Sequence, residues 1–314
     1  MEFRQIQYFI CLFEEGSVTR AARRLNIVQP ALSMQIARLE EELRQKLFER
    51  TRQGMLPTAV ARRMYRQFLP VVRDFIQAQA QVLAADGEVH GSVRIGVIAS
   101  ITEGVMAETL GRFAARHPTI DVTVLDGYSR TLSDWVAGGH IDLAVINKPR
   151  ARLALNLEPL VEEEMLLVSG SKRSKRLPAK LELRALAGLD GGLVLPTREH
   201  GLRAIVDSFA QQADVDLAPR FEMDSLATTV KLVEQTDLLT ILPRISVHRA
   251  IGEGRVRGHE ITAPRLLRQV VAVSHPRRPL NSATQAFLAM LKEEMQKGSG
   301  SLTSTIGKKP GHRS

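Results

Sequence analysis

The chain has 314 residues, of which 44% are hydrophobic and 25% charged, and its formal net charge is +9. That length exceeds one typical hydrophobic core and points to two or three domains, in a composition usual for water-soluble globular proteins. No apolar run could span a bilayer, and MEFRQIQYF lacks the basic start and cleavage site of a signal peptide, so a cytoplasmic location without membrane contact is expected.

The only cysteine is Cys11, which excludes an intrachain disulfide and a thiolate metal cluster. The positive charge is unevenly spread. Residues 1–66 hold 12 Lys and Arg against 7 Asp and Glu, and residues 297–314 hold 4 against none, whereas residues 67–296 balance at 27 of each sign. A basic amino-terminal segment on a neutral body is the electrostatic footprint of a nucleic-acid-binding head.

Ile6, Phe9, Ile10 and Phe13 predict a helix over residues 3–15 that ends near Gly16. Next comes SVTRAARRLNIVQPALSMQIARLEEELRQKL, residues 17–47. Val18, Ala21, Ala22 and Leu25 mark a short helix capped by Ser17, and Asn26 breaks it. Pro30 is tolerated in the first turn of the following helix, where Ala31, Leu32, Ile36, Leu39 and Leu43 form the buried stripe. Gln29, Ser33, Met34, Gln35 and Arg38 are left facing outward. Amide, hydroxyl and guanidinium groups near a helix N-terminus match the donor and acceptor pattern of a major groove, although the same periodicity fits a corner of any helical bundle. In LFERTRQGMLPT, Phe48 is expected to plug the core and Gly54 to turn a small hairpin. Arg50 and Arg52 project from it toward phosphates or a minor groove, or into solvent.

This run resembles the winged helix-turn-helix of LysR-type transcriptional regulators. The resemblance implies DNA contacts from Ser17, Thr19, Arg20, Gln29, Pro30, Ala31, Ser33, Met34, Gln35, Arg38, Arg50 and Arg52. Many relatives carry an arginine where this chain has Met34, which exchanges a guanine or phosphate contact for an apolar one, such as a thymine methyl.

TAVARRMYRQFLPVVRDFIQAQAQVLAA predicts a long linker helix interrupted by Pro70. Its Met64, Phe68, Leu69, Val72, Phe75, Ile76 and Leu83 are too apolar for an isolated helix in water. They need cover, either from the chain's own C-terminal domain or, as the resemblance implies, from the same helix of a second subunit.

Beyond residue 91 the pattern alternates between strands and helices. VRIGVIAS, DVTVLDGY and IDLAVIN alternate with helical stretches as in a doubly wound parallel unit. EEEMLLVSG then crosses to a second unit containing LVLP, GLRAIVDSFAQQA, SLATTVKLVEQ and LLTILP, and QVVAVSHP with SATQAFLAMLKEEMQ returns to the first. In this order the body resembles the two-lobed, periplasmic-binding-protein-like α/β effector domain of the LysR family. DGYSRTLSDWVAGGHIDLAVIN, LPTREHGLR and FEMDSLATTVKLVEQTDLLTILP resemble the family's nitrogen assimilation control subgroup. Polar groups near strand ends nominate Ser100, Ile101, Thr102, Tyr128, Ser129, Asn147, Thr197, His200 and Arg203 as effector-binding, Arg203 as an anion's counter-charge or a plain surface residue. Ser100 and Glu103 also have capping-box spacing, which alone would account for Ser100 and Thr102.

The expected organisation is a DNA-binding domain at 1–58, a linker helix at 59–88 and an effector domain at 89–297. Its lobe I comprises about 92–161 plus 269–297, its lobe II about 162–268, and a disordered basic tail follows at 298–314. Phosphate-loop, dinucleotide-binding, zincin and nucleophile-elbow motifs are all missing, so neither an enzyme nor a cofactor is implied. The resemblance implies double-stranded DNA, a second copy of the chain in a dimer or tetramer, a small-molecule effector and RNA polymerase as partners. A two-lobed solute-binding protein is the alternative, and the basic head and wing argue against it.

Overall fold

Gly16 ends the first helix in a left-handed conformation, and its carbonyl accepts a hydrogen bond from Met55 N at 2.8 Å, which ties the hairpin to the helix. A Cβ on Gly54 would lie 2.4 Å from that carbonyl oxygen, so glycine is required there by contact as well as by its positive φ. The computed structural model describes residues 1–52, 54–83, 89, 91–171, 177–189 and 192–300. Two compact units emerge, one built from residues 1–91 and 135–141, the other from residues 92–134 and 142 onward.

The first unit opens with α1 (Phe3–Glu15), α2 (Val18–Arg24) and α3 (Gln29–Leu43), followed by β1 (Phe48–Thr51), β2 (Gly54–Pro57) and α4 (Ala59–Leu83). Ser17 caps α2 through Arg20 N, as expected, and Asn26 takes the left-handed conformation that separates α2 from α3. Phe9, Leu12, Ala21, Leu32, Leu39 and Phe48 fill the core, with the Phe9 and Phe48 rings 5.7 Å apart. Cys11 lies in the same buried cluster. The carboxylate of Glu40 is nearly buried on α3 and accepts from Leu47 N at 2.8 Å, Phe48 N at 3.2 Å and Lys46 Nζ at 2.7 Å. Burial alone would raise its pKa, but these three donors outweigh that and hold it below the usual range. One acidic side chain thereby fixes the start of the wing to the recognition helix.

Part of α4 finds its cover in this unit. Ala61, Met64, Leu69 and Val72 join the head's core, Tyr65 stacks on Phe13 at 4.1 Å, and Phe75 meets Phe3 at 4.2 Å. Val71, Phe75, Ile76 and Val82 nevertheless stay exposed. The helix runs through Pro70 without a break in assignment. Leu83's side chain and residues 84–88 lie outside the described residues.

In the second unit β3 (Val93–Val97), β4 (Val122–Asp126) and β5 (Leu143–Asn147) are parallel, and β12 (Leu267–Ser274) adds antiparallel to β5. β6 (Asn156–Gly170) is shared between two sheets. Its first part pairs with β12, and its second part pairs with β10 (Leu239–Pro243) and β11 (Val256–Ile261). β8 (Leu193–Leu195) and β9 (Pro219–Glu222) extend the far sheet in parallel from β10, and β7 (Lys180–Leu181) pairs with β11. The two doubly wound units are therefore mixed rather than purely parallel, because the crossing and returning strands run against their neighbours.

The helices are α5 (Ala107–Arg116), preceded by a π-helical turn at Thr102–Met106, then α6 (Ser129–Ala137), α7 (Gly201–Gln212), α8 (Leu226–Gln235), α9 (Arg244–Gly252) and α10 (Ser282–Ser299). α10 returns to pack on β3, β6 and α5, with Phe287 edge-on to Phe113 at 5.0 Å. It continues past the boundary expected at 297, because Met295 still points into the core and Gly300 ends it in a left-handed conformation. The rest of the expected tail, residues 301–314, lies outside the described residues.

Candidate functional sites

At the head, α3 begins at Gln29 with Val28 as its N-cap residue and Pro30 inside the first turn. Of the set expected to face outward, Gln29, Met34 and Arg38 are exposed and Ser33 and Gln35 are half-buried, as is Ala31 of the expected buried stripe. Gln29 Nε2 donates to Thr19 Oγ1 at 3.0 Å, which steadies the amide at the tip of the helix. Two more nominated residues are engaged within the head. Ser17 Oγ serves as the cap, and Arg20 is bound by the carbonyl and carboxylate of Glu15. Among the described residues, Arg38, Arg50 and Arg52 are exposed and form no ion pair. The result is an uncharged reading surface flanked by free cations.

In the second unit a cavity of about 210 Å³ opens where β4 meets α6, β5 ends and α7 begins. Tyr128, Ser129, Asn147 and His200, all nominated from sequence, line it together with Asp126 and Asp224. Asp224 accepts from Thr197 N at 2.8 Å, from Thr197 Oγ1 at 3.0 Å and from Tyr128 Oη, so it joins the end of one sheet to the other. Burial would raise the Asp224 pKa, but the bonds from Tyr128 and Thr197 prevail and hold it below its ordinary value. The same bond raises the Tyr128 pKa. His200 caps α7 by accepting from Leu202 N at Nδ1, 3.1 Å away, and burial pushes its pKa down. A neutral ring with its proton on Nε2 follows.

Other nominated residues sit elsewhere. Thr102 donates to Asp126 and so stands behind a lining carboxylate. Ser100 does not cap a helix and makes no capping box with Glu103. The first helical turn here begins after Ile98, which offers no side-chain cap, and Ser100 Oγ instead accepts from Arg268 Nη1 at 2.8 Å. Ile101 is buried core. Arg203 is neither a surface residue nor turned to the cavity. It is 4% exposed and donates to Asp207 at 2.7 Å, Glu222 at 2.7 Å and Pro196 O at 3.0 Å.

Sequence reading missed Arg268 and Glu163. Both side chains are fully buried. Arg268 Nε donates to Glu163 at 2.8 Å, its Nη1 reaches Asn147 Oδ1 at 3.1 Å, and the second Glu163 oxygen accepts from Ile245 N at 2.9 Å. A charged pair within two strands of apolar pattern gives no periodic signal.

Residues 3–62 match the family described as the bacterial regulatory helix-turn-helix protein, lysR family, and residues 86–296 match the LysR substrate binding domain. The chain belongs to the LysR family. Nitrogen assimilation regulatory protein nac of Escherichia coli (strain K12) is 26% identical over 93% of this chain and 94% of its own. Among solved structures, full-length OxyR from Pseudomonas aeruginosa covers 94% of this chain and 98% of its own with a TM-score of 0.70 at 20% identity. Full-length CbnR complexed with its target DNA covers 95% and 100% with a TM-score of 0.65 at 19% identity. This LysR-family chain is a DNA-binding transcriptional regulator with a C-terminal effector domain, and a solute-binding protein without a regulatory role is not favoured. Among the described residues, no helix is long and apolar enough to cross a membrane.

Proposed function

We propose that two copies of this regulator pair through α4, dimers associating further into tetramers, and place two α3 helices in successive major grooves of a pseudo-palindromic promoter site. The carrying observation is the uncharged outward surface at the start of α3, flanked by the free guanidinium groups of Arg38, Arg50 and Arg52. Gln29, Pro30, Ser33, Met34 and Gln35 read base edges, and Arg50 and Arg52 neutralise phosphates from the wing. Ser17, Thr19, Arg20 and Ala31 belong to the same DNA-contacting surface. The cavity between Tyr128, Ser129, Asn147 and His200 takes a small-molecule effector, which sets the regulator's output at the promoter toward RNA polymerase. Thr197 and Thr102 shape the cavity by holding Asp224 and Asp126.

Genomic fragments recovered with the purified protein, sequenced and then used in competition binding, test this reading. Selected fragments are expected to outcompete random duplex at moderate ionic strength. Ser33→Ala should narrow that preference by roughly 1–3 kcal/mol if its hydroxyl meets a base. Arg52→Ala should weaken all duplexes alike and flatten the dependence of log affinity on log salt by about one unit. A protein that prefers no fragment overturns the proposal.

A further inference from the structure

The polar groups around the cavity fall into two sets of opposite demand. Asn147 is 6% exposed and its Oδ1 is taken by Arg268, so its Nδ2 is the group left to face the cavity. The amide nitrogen packs so close that a Cβ on Gly201 would lie 3.1 Å from it. Among the described residues that Nδ2 has no acceptor. His200, also 6% exposed, has Nδ1 occupied by Leu202 N, which leaves Nε2–H as a second donor. Ser129 Oγ is sealed from solvent without a partner among the described residues. Of the three, Ser129 Oγ is the buried atom left without a partner among the described residues, and an unmade bond of that kind costs free energy. Ser129 and Gly201 also begin α6 and α7, whose first amides favour negative charge.

The carboxylates of Asp126 and Asp224 share the lining with these donors, and no lysine or arginine is among the lining residues. A carboxylate has about four acceptor positions, and Asp224 has filled three of them. A bare anion would satisfy the donors but face two uncompensated negative charges. We infer that the effector is a small zwitterion of the amino acid class, its carboxylate toward Asn147, His200 and Ser129 and its ammonium toward Asp224 and Asp126. The cavity, about 210 Å³, suits a small ligand. The inference rests on the reading of the cavity as the effector site.

Calorimetric titration of the full-length protein with the common amino acids, matched acids lacking the amino group, matched amines lacking the carboxylate, and small polyols tests it. At least one amino acid should bind saturably, and its deaminated counterpart should bind at least about tenfold more weakly. Ser129→Ala should weaken the amino acid by about tenfold, and Asp224→Asn should shrink the gap between amino acid and deaminated acid. Thermal unfolding of both variants controls for loss of fold. A deaminated acid, amine or polyol that binds as tightly as the amino acid overturns the zwitterion, and if Ser129→Ala also weakens it, the cavity stays the effector site. Binding by none of the probes also overturns the zwitterion. The effector reading then survives only if low-molecular-weight cell extract alters operator binding in the wild type but not in Ser129→Ala.

Discussion

Arg268 and Glu163 are direct cross-strand partners in β12 and β6, and both side chains are sealed from solvent at the crossing between the two sheets of the effector domain. Through Ser100 and Asn147 the arginine holds the segment after β3 and the end of β5 in one sheet, and through Ile245 N the glutamate caps α9, which follows β10 of the other. The pair fixes Asn147 with its amide toward the cavity.

Removing one member of such a pair leaves an uncompensated buried charge. Glu163→Gln is expected to cost the effector domain about 3–5 kcal/mol in urea unfolding, whereas Glu163→Leu combined with Arg268→Met should recover most of that stability. The double variant should still lose effector response, because Asn147 Oδ1 no longer has a donor. A single variant less than about 1 kcal/mol below wild type would contradict this account.

Met34 is 49% exposed on α3, and Val28 beside it is exposed as well. The first charged residue of the helix is Arg38, so its leading turns lack a guanidinium for guanine and offer an apolar surface that suits thymine methyls. Replacing a contacted thymine by uracil should weaken wild-type binding by about 0.8 kcal/mol, the value of one buried methyl, and should leave Met34→Ala unaffected. Met34→Arg should move the preference toward guanine at that position. Equal sensitivity to uracil in wild type and Met34→Ala would remove Met34 from the reading set.

Legibility in the sequence followed the physics of each feature. The helices of the head announced themselves because Ile6, Phe9, Ala21, Leu32 and Leu39 repeat at helical spacing and all go inside. β9, α9 and β11 were not found. PRFE is mostly exposed, α9 is only weakly amphipathic, and VRGHEI alternates around a histidine that is buried only because Ser169 and Pro178 satisfy it. Four cavity residues were legible since Tyr128, Ser129 and His200 sit at strand-to-helix turns and Asn147 ends the apolar run of β5. Asp224 and Arg268 were not, because their roles depend on partners far apart in sequence, Tyr128 for one and Glu163 for the other.

His259 is fully buried, with Nδ1 2.7 Å from Pro178 O and Nε2 2.8 Å from Ser169 Oγ. Burial pushes its pKa below the ordinary value, as it does for His200. Unfolded histidines take up protons near pH 6.5, whereas these two, when folded, do so only at lower pH. Their contribution is therefore present above pH 6.5 and is lost as pH falls through the lower folded values. Stability of the effector domain should decline as pH falls below 6.5, by up to about 1.4 kcal/mol per pH unit for each histidine until its lower folded value is reached. His259→Asn should be less stable at pH 7.5 yet show a shallower decline. A wild-type slope of zero across that window would refute the assignment.

Phe75 is 50% exposed even though its ring meets Phe3, and Val71, Ile76 and Val82 extend the same apolar exposure along α4. Met64, Leu69 and Val72, in contrast, are already covered by the head, so the requirement for a partner narrows to the outer residues. Each large apolar side chain moved from water into an interface contributes roughly 1.5–3 kcal/mol before the cost of association. Ile76→Ser with Val71→Ser should therefore raise the dimer dissociation constant by more than tenfold in sedimentation, while thermal unfolding of the head changes little. Operator affinity should fall further than self-association alone, since two weak half-site contacts no longer share one effective concentration. A double variant that remains dimeric at wild-type concentrations would place the pairing surface elsewhere than on α4.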